Sequence, residues 1–513
     1  MSSLLVCWMV VFCVLAAPCA WAAGKARHVI VIVWDGMRPE FVTEELSPTL
    51  CGLARSGVTF RNHHSQFPST TQVNGAALAT GSYPGHSGLV GNVEFRPQID
   101  AQKPVETGVL ATVRKGDEVT GGHYLLRPTM AETVRRAGRH TLTSGAKTAL
   151  LLDRAERADA SGGINLVAGQ TFPPTVLNRI TQLLGAFPPT GVTKIDRDNW
   201  TASAFIRLLG EGEFPDFSML WLSEPDFSQH EIGPGSATAR ACVSNSDRNL
   251  ARVLSALDAK GVRDSTDILV VSDHGVSTVS QPVDVARVLK QAGFHATREW
   301  DPVPAQGDIL VAGDGGAVFF YIAGRDSNTI RRLVTFLQGT DFTGVIFSRQ
   351  KHPGTFSLKQ ARIDSPQPPD VAVSMRWADD LNDAGLAGTE FCDLSEPTPS
   401  LGEHGTLSRH DLHNILFAAG PDFRPGSLSD LPSGNTDIAP TVLWILGLKS
   451  SQPMDGRVLT EGLTIAGPKV GKPRTKRLKA TRDLGASIWS QYLEVSELNG
   501  VTYFNEGNSE QKR

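Results

Sequence analysis

The sequence predicts an α/β protein with a doubly wound, largely parallel sheet and an α+β insert. Two observations carry that prediction. Short apolar runs end at an acidic residue: His28 to Trp34 stops at Asp35, Phe217 to Leu222 is followed by Asp226, and Asp267 to Ser272 stops at Asp273. Continuous Val- and Ile-rich runs are what parallel strands covered on both faces require. Helical segments with readable ends lie between them: Pro48 opens and Gly57 closes one, Pro128 opens and Gly138 closes another, and Ser236 to Lys260 ends at Gly261. In such sheets ligands sit beyond the carboxyl ends of the strands, where all three acids fall.

Taken in order, residues 1–22 carry no charged side chain and end in the small-x-small pattern Ala20-Trp21-Ala22, which reads as a secretory signal peptide. No basic residue precedes the apolar run, so an uncleaved anchor is the alternative. No later segment is apolar for long enough to span a bilayer, so export to the periplasm or beyond is expected to leave no stable membrane span after cleavage. The catalytic core then occupies 23–280. From 281 to 400 short alternating pieces such as Ala317 to Ile322 and Pro369 to Met375, with an amphipathic helix near Asn328 to Leu337, predict the cap-like insert. The core resumes over 401–465 with a strand at Asn414 to Gly420 and a helix at Thr436 to Leu446. Residues 466–513 read as a basic connector and C-terminal extension, because Lys469, Lys472, Arg474, Lys476, Arg477, Lys479 and Arg482 crowd its start. A solvated connector is the plainer reading and steering of an anionic substrate the sharper one.

Composition narrows the class. With 49 Lys+Arg against 53 Asp+Glu in 513 residues, the formal charge is −4, so a protein that coats nucleic-acid polymers or anionic membranes is excluded. Cys51, Cys242 and Cys392 remain beyond the leader, an odd and widely spaced trio that makes no disulfide framework. Nothing in the sequence sets an oligomeric state.

The residues that carry chemistry are Asp35, Asp226, His230, Asp273, His274 and His404. Each alone has a bland explanation as a turn, cap or core residue. Together they are mixed oxygen and nitrogen ligands in a set of six, which suits two zinc ions. Asp226 and His230 are four residues apart, so one helical turn brings carboxylate and imidazole together. Carboxylates gathered at one sheet edge also require cations to offset their repulsion. Thr71 lies where the Pro68 loop runs into a helix, and a hydroxyl there benefits from first-turn N–H groups and the helix dipole. The same position is equally an ordinary helix cap, and Asn74 an ordinary polar helix residue.

These pieces resemble the alkaline phosphatase superfamily, and within it the type I phosphodiesterase/nucleotide pyrophosphatase branch. The matching segments are Val33 to Gly36, Pro68 to Asn74, Ala79 to Gly88 with Asn92, Pro225-Asp226 with His230, Ser272 to Gly275, Glu403 to Gly405, and Met454 to Arg457. The resemblance implies one zinc on Asp226, His230 and His404 and another on Asp35, Asp273 and His274, with Thr71 as the nucleophile bridging to the second. It also implies that Asn74 donates to a phosphate oxygen, and that Thr71 carries a covalent intermediate hydrolysed in a second step. The sequence departs from the vertebrate-type nucleotide pyrophosphatases at Gly75, where they carry a His.

The expected substrate is a small phosphate ester or nucleotide-like molecule, and the expected reaction phosphodiester or pyrophosphate hydrolysis. A phosphomonoesterase using the same ligands is the alternative. Lys147 is the one candidate for the extra substrate-binding cation that a dianionic monoester needs. A non-catalytic metal- or phosphate-binding surface protein is the third reading, though no ligand is missing.

Overall fold

A computed structural model describes residues 24–145, 150–154, 161–393 and 400–510. Its largest element is a nine-stranded sheet whose middle is five parallel strands: Thr266–Val271, His28–Trp34, Phe217–Leu222, Thr141–Gly145 and Gly163–Val167. The strand Leu416–Ala419 adds antiparallel beside Thr266–Val271, which explains why the sheet is mixed at its margins. Alternation along His28–Trp34 shows how both faces come to be covered. Val29, Val31 and Val33 pack into one apolar cluster with Leu78, Met130, Ile438 and Leu443, contributed by helices on one side. Ile30, Ile32 and Trp34 pack on the other side with Phe205, Leu208, Val253 and Leu257. The fold is that of a doubly wound α/β protein.

The helix ends follow their sequence signals. Pro48–Ser56 starts on its proline, and Ala237–Lys260 is capped by the Ser236 hydroxyl accepting from the Ala239 N–H at 3.2 Å. Its C-cap, Gly261, sits at φ 66°, the left-handed region. The helix Met130–Arg136 begins with a complete capping box between Thr129 and Glu132.

A second, six-stranded sheet spans Ala296–Thr297 to Val371–Met375 and carries the helix Ser327–Leu337 on one face. Ile330, Leu333 and Leu337 bury against Val318, Phe320 and Val373 there. Its Asp314–Ala317 turn reaches the carboxyl edge of the main sheet, where the Gly316 N–H donates to the carbonyl of His404 at 2.7 Å.

The basic stretch differs from the connector expected of it. Arg474–Asp483 is the edge strand of a three-stranded antiparallel sheet with Ile488–Leu498 and Val501–Ser509. Its charges meet acids on the neighbouring strand and just past the third: Lys476 lies 2.6 Å from Glu497, and Arg477 3.2 Å from Glu510. Charges offset in this way serve an edge strand, which lysines and arginines protect from pairing with other chains, better than they serve substrate steering. The sheet is fastened on two sides. Gln491 exchanges hydrogen bonds with the backbone of Ile346, and the Tyr503 hydroxyl donates to Asp437 at 2.9 Å. Cys51, Cys242 and Cys392 are all free. No helix among the described residues is long and apolar enough to cross a membrane.

Candidate metal centre and nucleophile

The parallel strands deliver the acidic residues to one edge. Asp35 follows His28–Trp34, Asp273 follows Thr266–Val271, and Asp226 opens the helix Asp226–Ile232 after Phe217–Leu222. Close approach is needed to bring two of these loops together, and Gly36 permits it. Its φ is 69°, and a Cβ there would lie 2.8 Å from the Cβ of Asp226. His404 arrives from the distant segment beyond the second sheet, held against the loop before Thr71.

The histidines share one arrangement. The Nδ1 of His230 is 2.7 Å from the carbonyl of Gly402, that of His404 is 2.8 Å from the carbonyl of Ser69, and that of His274 is 2.9 Å from the carbonyl of Gly275. A carbonyl only accepts, so each ring carries its proton on Nδ1 and turns Nε2 inward. The inward nitrogens meet the carboxylates. His230 Nε2 is 3.2 Å and His404 Nε2 3.6 Å from Asp226 Oδ1, while His274 Nε2 is 3.1 Å from Asp273 Oδ2 and 3.6 Å from Asp35 Oδ1. The His274 and His404 rings stack at 3.7 Å. Ligand atoms of Asp226, His230 and His404 lie within 4.8 Å of one another, as do those of Asp35, Asp226 and His274.

The carboxylates are aimed as well. The Trp221 indole N–H donates to Asp35 Oδ2 at 2.9 Å, and the Gly36 N–H donates to Asp273 Oδ1 at 3.1 Å. All the acids and His274 are buried, and His230 is half-buried. Burial alone would lower the His274 imidazole, but the carboxylates of Asp273, Asp226 and Asp35 outweigh it and push it up to about 9. His230 is likewise raised, with Asp226 and Glu403 overcoming the effect of burial. Buried carboxylates facing imidazoles oriented through their outer nitrogens are a donor set that fits divalent zinc, whose ligand histidines are held in this way.

Thr71 is the first residue of the helix Thr71–Thr80, buried, with its Oγ1 3.1 Å from His274 Nε2. Thr70, not Thr71, is the N-cap residue, so the Thr71 hydroxyl is not needed as a cap. Asn74 occupies a different place from the one expected of it. Its amide donates to the carbonyls of Gln66, Pro68 and Thr70 at 3.1 to 3.3 Å, and its Oδ1 accepts from the Gln66 N–H at 2.7 Å. It shapes the loop before Thr71 from behind and has no amide proton to spare for substrate. Asn92 stands beside the helix start instead, its Oδ1 accepting from the N–H of Gln72 at 2.7 Å. The sequence offered Asn92 only as part of a matching segment, because twenty residues of chain separate it from the helix it serves. Lys147 lies outside the described residues. His410 and His413, near His404 in sequence, are engaged elsewhere, His410 with Asp379 at 2.9 Å and His413 against His64.

At the carboxyl edge of a doubly wound sheet stand a buried Asp/His cluster and, against it, a helix-start threonine. Residues 29–363 match the type I phosphodiesterase/nucleotide pyrophosphatase family, and the chain belongs to that family. It is 21% identical to human ectonucleotide pyrophosphatase/phosphodiesterase family member 7 over 85% of this chain and 87% of that protein. It is 22% identical to the venom phosphodiesterase of Macrovipera lebetinus over 52% of this chain, but spans only 27% of that longer protein. Among solved structures, murine ectonucleotide pyrophosphatase/phosphodiesterase 5, an inactive form in complex with AMP, superposes with a TM-score of 0.60 at 16% identity. That match covers 85% of this chain and all of the murine chain.

Proposed function

We propose that the protein is an exported, zinc-dependent phosphodiesterase or nucleotide pyrophosphatase that works through a covalent ester on Thr71. The observation that carries this reading is the set of three imidazoles, each fixed through Nδ1 on a backbone carbonyl and turned inward on buried carboxylates beside the Thr71 hydroxyl. Asp226, His230 and His404 would hold one ion, and Asp35, Asp273 and His274 the other. Bound zinc would supply the positive charge that keeps a threonine as an alkoxide and offsets charge on the departing oxygen.

The remaining steps belong to the protein. Thr71 Oγ1 attacks phosphorus in line, the P–O bond to the leaving alcohol or phosphate breaks, and an ester remains on Thr71. Water then attacks the same phosphorus, the bond to Oγ1 breaks, and the threonine is restored. Two ordered substitutions at one centre demand a fixed nucleophile, which the buried helix start provides. Asn92 is the donor we assign to a nonbridging phosphate oxygen, in place of Asn74. The family and the AMP complex of the murine relative support a nucleotide-like substrate.

Steady-state turnover of matched aryl phosphate mono- and diesters by the zinc-loaded protein tests the reading. A diester preference that Lys147→Ala leaves unchanged is expected. A strong monoester preference lost in Lys147→Ala would assign a phosphomonoesterase, and no turnover of either ester would leave a binding protein.

A further inference from the structure

A buried asparagine joins the two halves of this site. The side-chain nitrogen of Asn435 donates to the backbone carbonyl of Asp273 at 2.6 Å and to Oδ1 of Asn74 at 3.0 Å. Asp273 is a candidate ligand on the main sheet, and Asn74 is the residue that holds the carbonyls of the loop leading into Thr71. On its other side, Asn435 Oδ1 lies 3.0 Å from His63 Nε2 and accepts from Asn414 Nδ2 at 3.2 Å. His63 is buried and held neutral, its basicity lowered to about 3 by burial, so it donates from Nε2 while its Nδ1 accepts from the Ser433 hydroxyl at 2.9 Å. Both donors and the acceptor of Asn435 are thus committed, and its orientation is fixed with no freedom to flip.

From this geometry we infer that Asn435 is a positioning residue that sets the distance between Thr71 and the Asp273–His274 ligand pair. The inference rests on the reading of Thr71 as nucleophile. No other side chain among the described residues bonds both to the backbone of a candidate ligand and to the residue shaping the Thr71 loop. In covalent catalysis a displacement of about 1 Å at the attacking atom costs roughly a hundredfold in rate. An Asn435→Asp side chain keeps the shape but faces two acceptors with acceptors, so the bridge is lost from both ends.

The test compares wild type, Asn435→Asp and Asn74→Ser at saturating zinc, each read for bound zinc, thermal midpoint, and kcat and KM on an aryl phosphodiester. Asn74→Ser breaks the same bridge from its other end, which guards against a single variant that fails to fold. The expected result is full zinc content in both variants, KM within about threefold of wild type, and kcat lower by roughly 30- to 100-fold. The double variant should be no slower than the slower single one, since both cut one connection. Wild-type kcat per zinc-loaded protein in Asn435→Asp overturns the proposal, as does a loss of zinc that accounts for the whole loss of rate. Failure of both variants to fold overturns it too, because the bridge would then serve the fold and not turnover. An inactive wild type, or a Thr71→Ala variant with wild-type rate, strikes instead at the reading of the site itself.

Discussion

Thr71 Oγ1 and His274 Nε2 lie 3.1 Å apart although 203 residues separate them in the chain. One comes from the start of a helix and the other from the turn after a strand. His274 cannot rotate to relieve the contact, because its Nδ1 is committed to the carbonyl of Gly275. The hydroxyl therefore sits among the candidate ligand atoms.

His404 should complete the ion site begun by Asp226 and His230. His404→Ala should lower zinc stoichiometry by about one ion per chain and lower the thermal midpoint of the loaded protein, since metal binds only the folded site. His410→Ala should leave zinc unchanged, because that ring faces Asp379. Elemental analysis of the two purified variants decides it, and zinc loss in His410→Ala alone would shift the site assignment.

Trp221 orients Asp35 through its indole N–H. Trp221→Phe keeps the apolar bulk and removes only that bond, so it should weaken zinc at the Asp35 site by roughly 10- to 100-fold. Competition with a chelator should show one ion lost early and the other held as in wild type. Equal affinity at both sites would contradict the proposed orientation role.

Zinc and protons should compete. In the zinc-free folded protein His274 titrates near 9, against 6.5 in an ordinary environment, and His230 is raised as well. At pH 7.5 the His274 ring is then protonated, and zinc takes it neutral, so binding should release about one proton from His274, and the raised His230 should add to that release. Calorimetry in buffers of different ionisation enthalpy measures this directly. The same shift gives the zinc-free protein stability that is fully present below pH 6.5 and is lost as pH rises through about 9. The zinc-loaded protein should lack that decline.

The C-terminal sheet should contribute to global stability. Tyr503 donates to buried Asp437 and accepts from Arg457 Nε at 3.0 Å. Tyr503→Phe removes the hydroxyl and leaves buried charged groups short of a partner, at a cost of about 1–3 kcal/mol by denaturant titration. A change near zero would mean that the sheet is only loosely attached.

The parallel strands and the candidate metal ligands stood out in the sequence for the same reason. A strand buried on both faces needs an unbroken apolar run, and a polar residue ending such a run is conspicuous, as Asp35 and Asp273 are. Helix limits at Pro48 and Gly261 were legible because backbone geometry restricts which residues stand there. Asn435 was not, since what singles it out is four partners distant in sequence, and one buried asparagine leaves no periodic trace. The role of Asn74 was obscured because its motif position is compatible with facing either the substrate or its own loop. Residues 474–483 read as a connector because every outward position is charged or polar, while Leu478 and Ala480, the inward positions that mark the strand, are few.

The central claim, that Thr71 carries the reacting group, is tested most directly by stopping turnover of an aryl phosphodiester with acid and mapping the zinc-loaded protein by peptide mass spectrometry. The account predicts a phosphate ester on the peptide containing Thr71, localised to that residue and absent from Thr71→Ala, which should fold and bind zinc but turn over little. An ester on another residue, or wild-type turnover by Thr71→Ala, would contradict it.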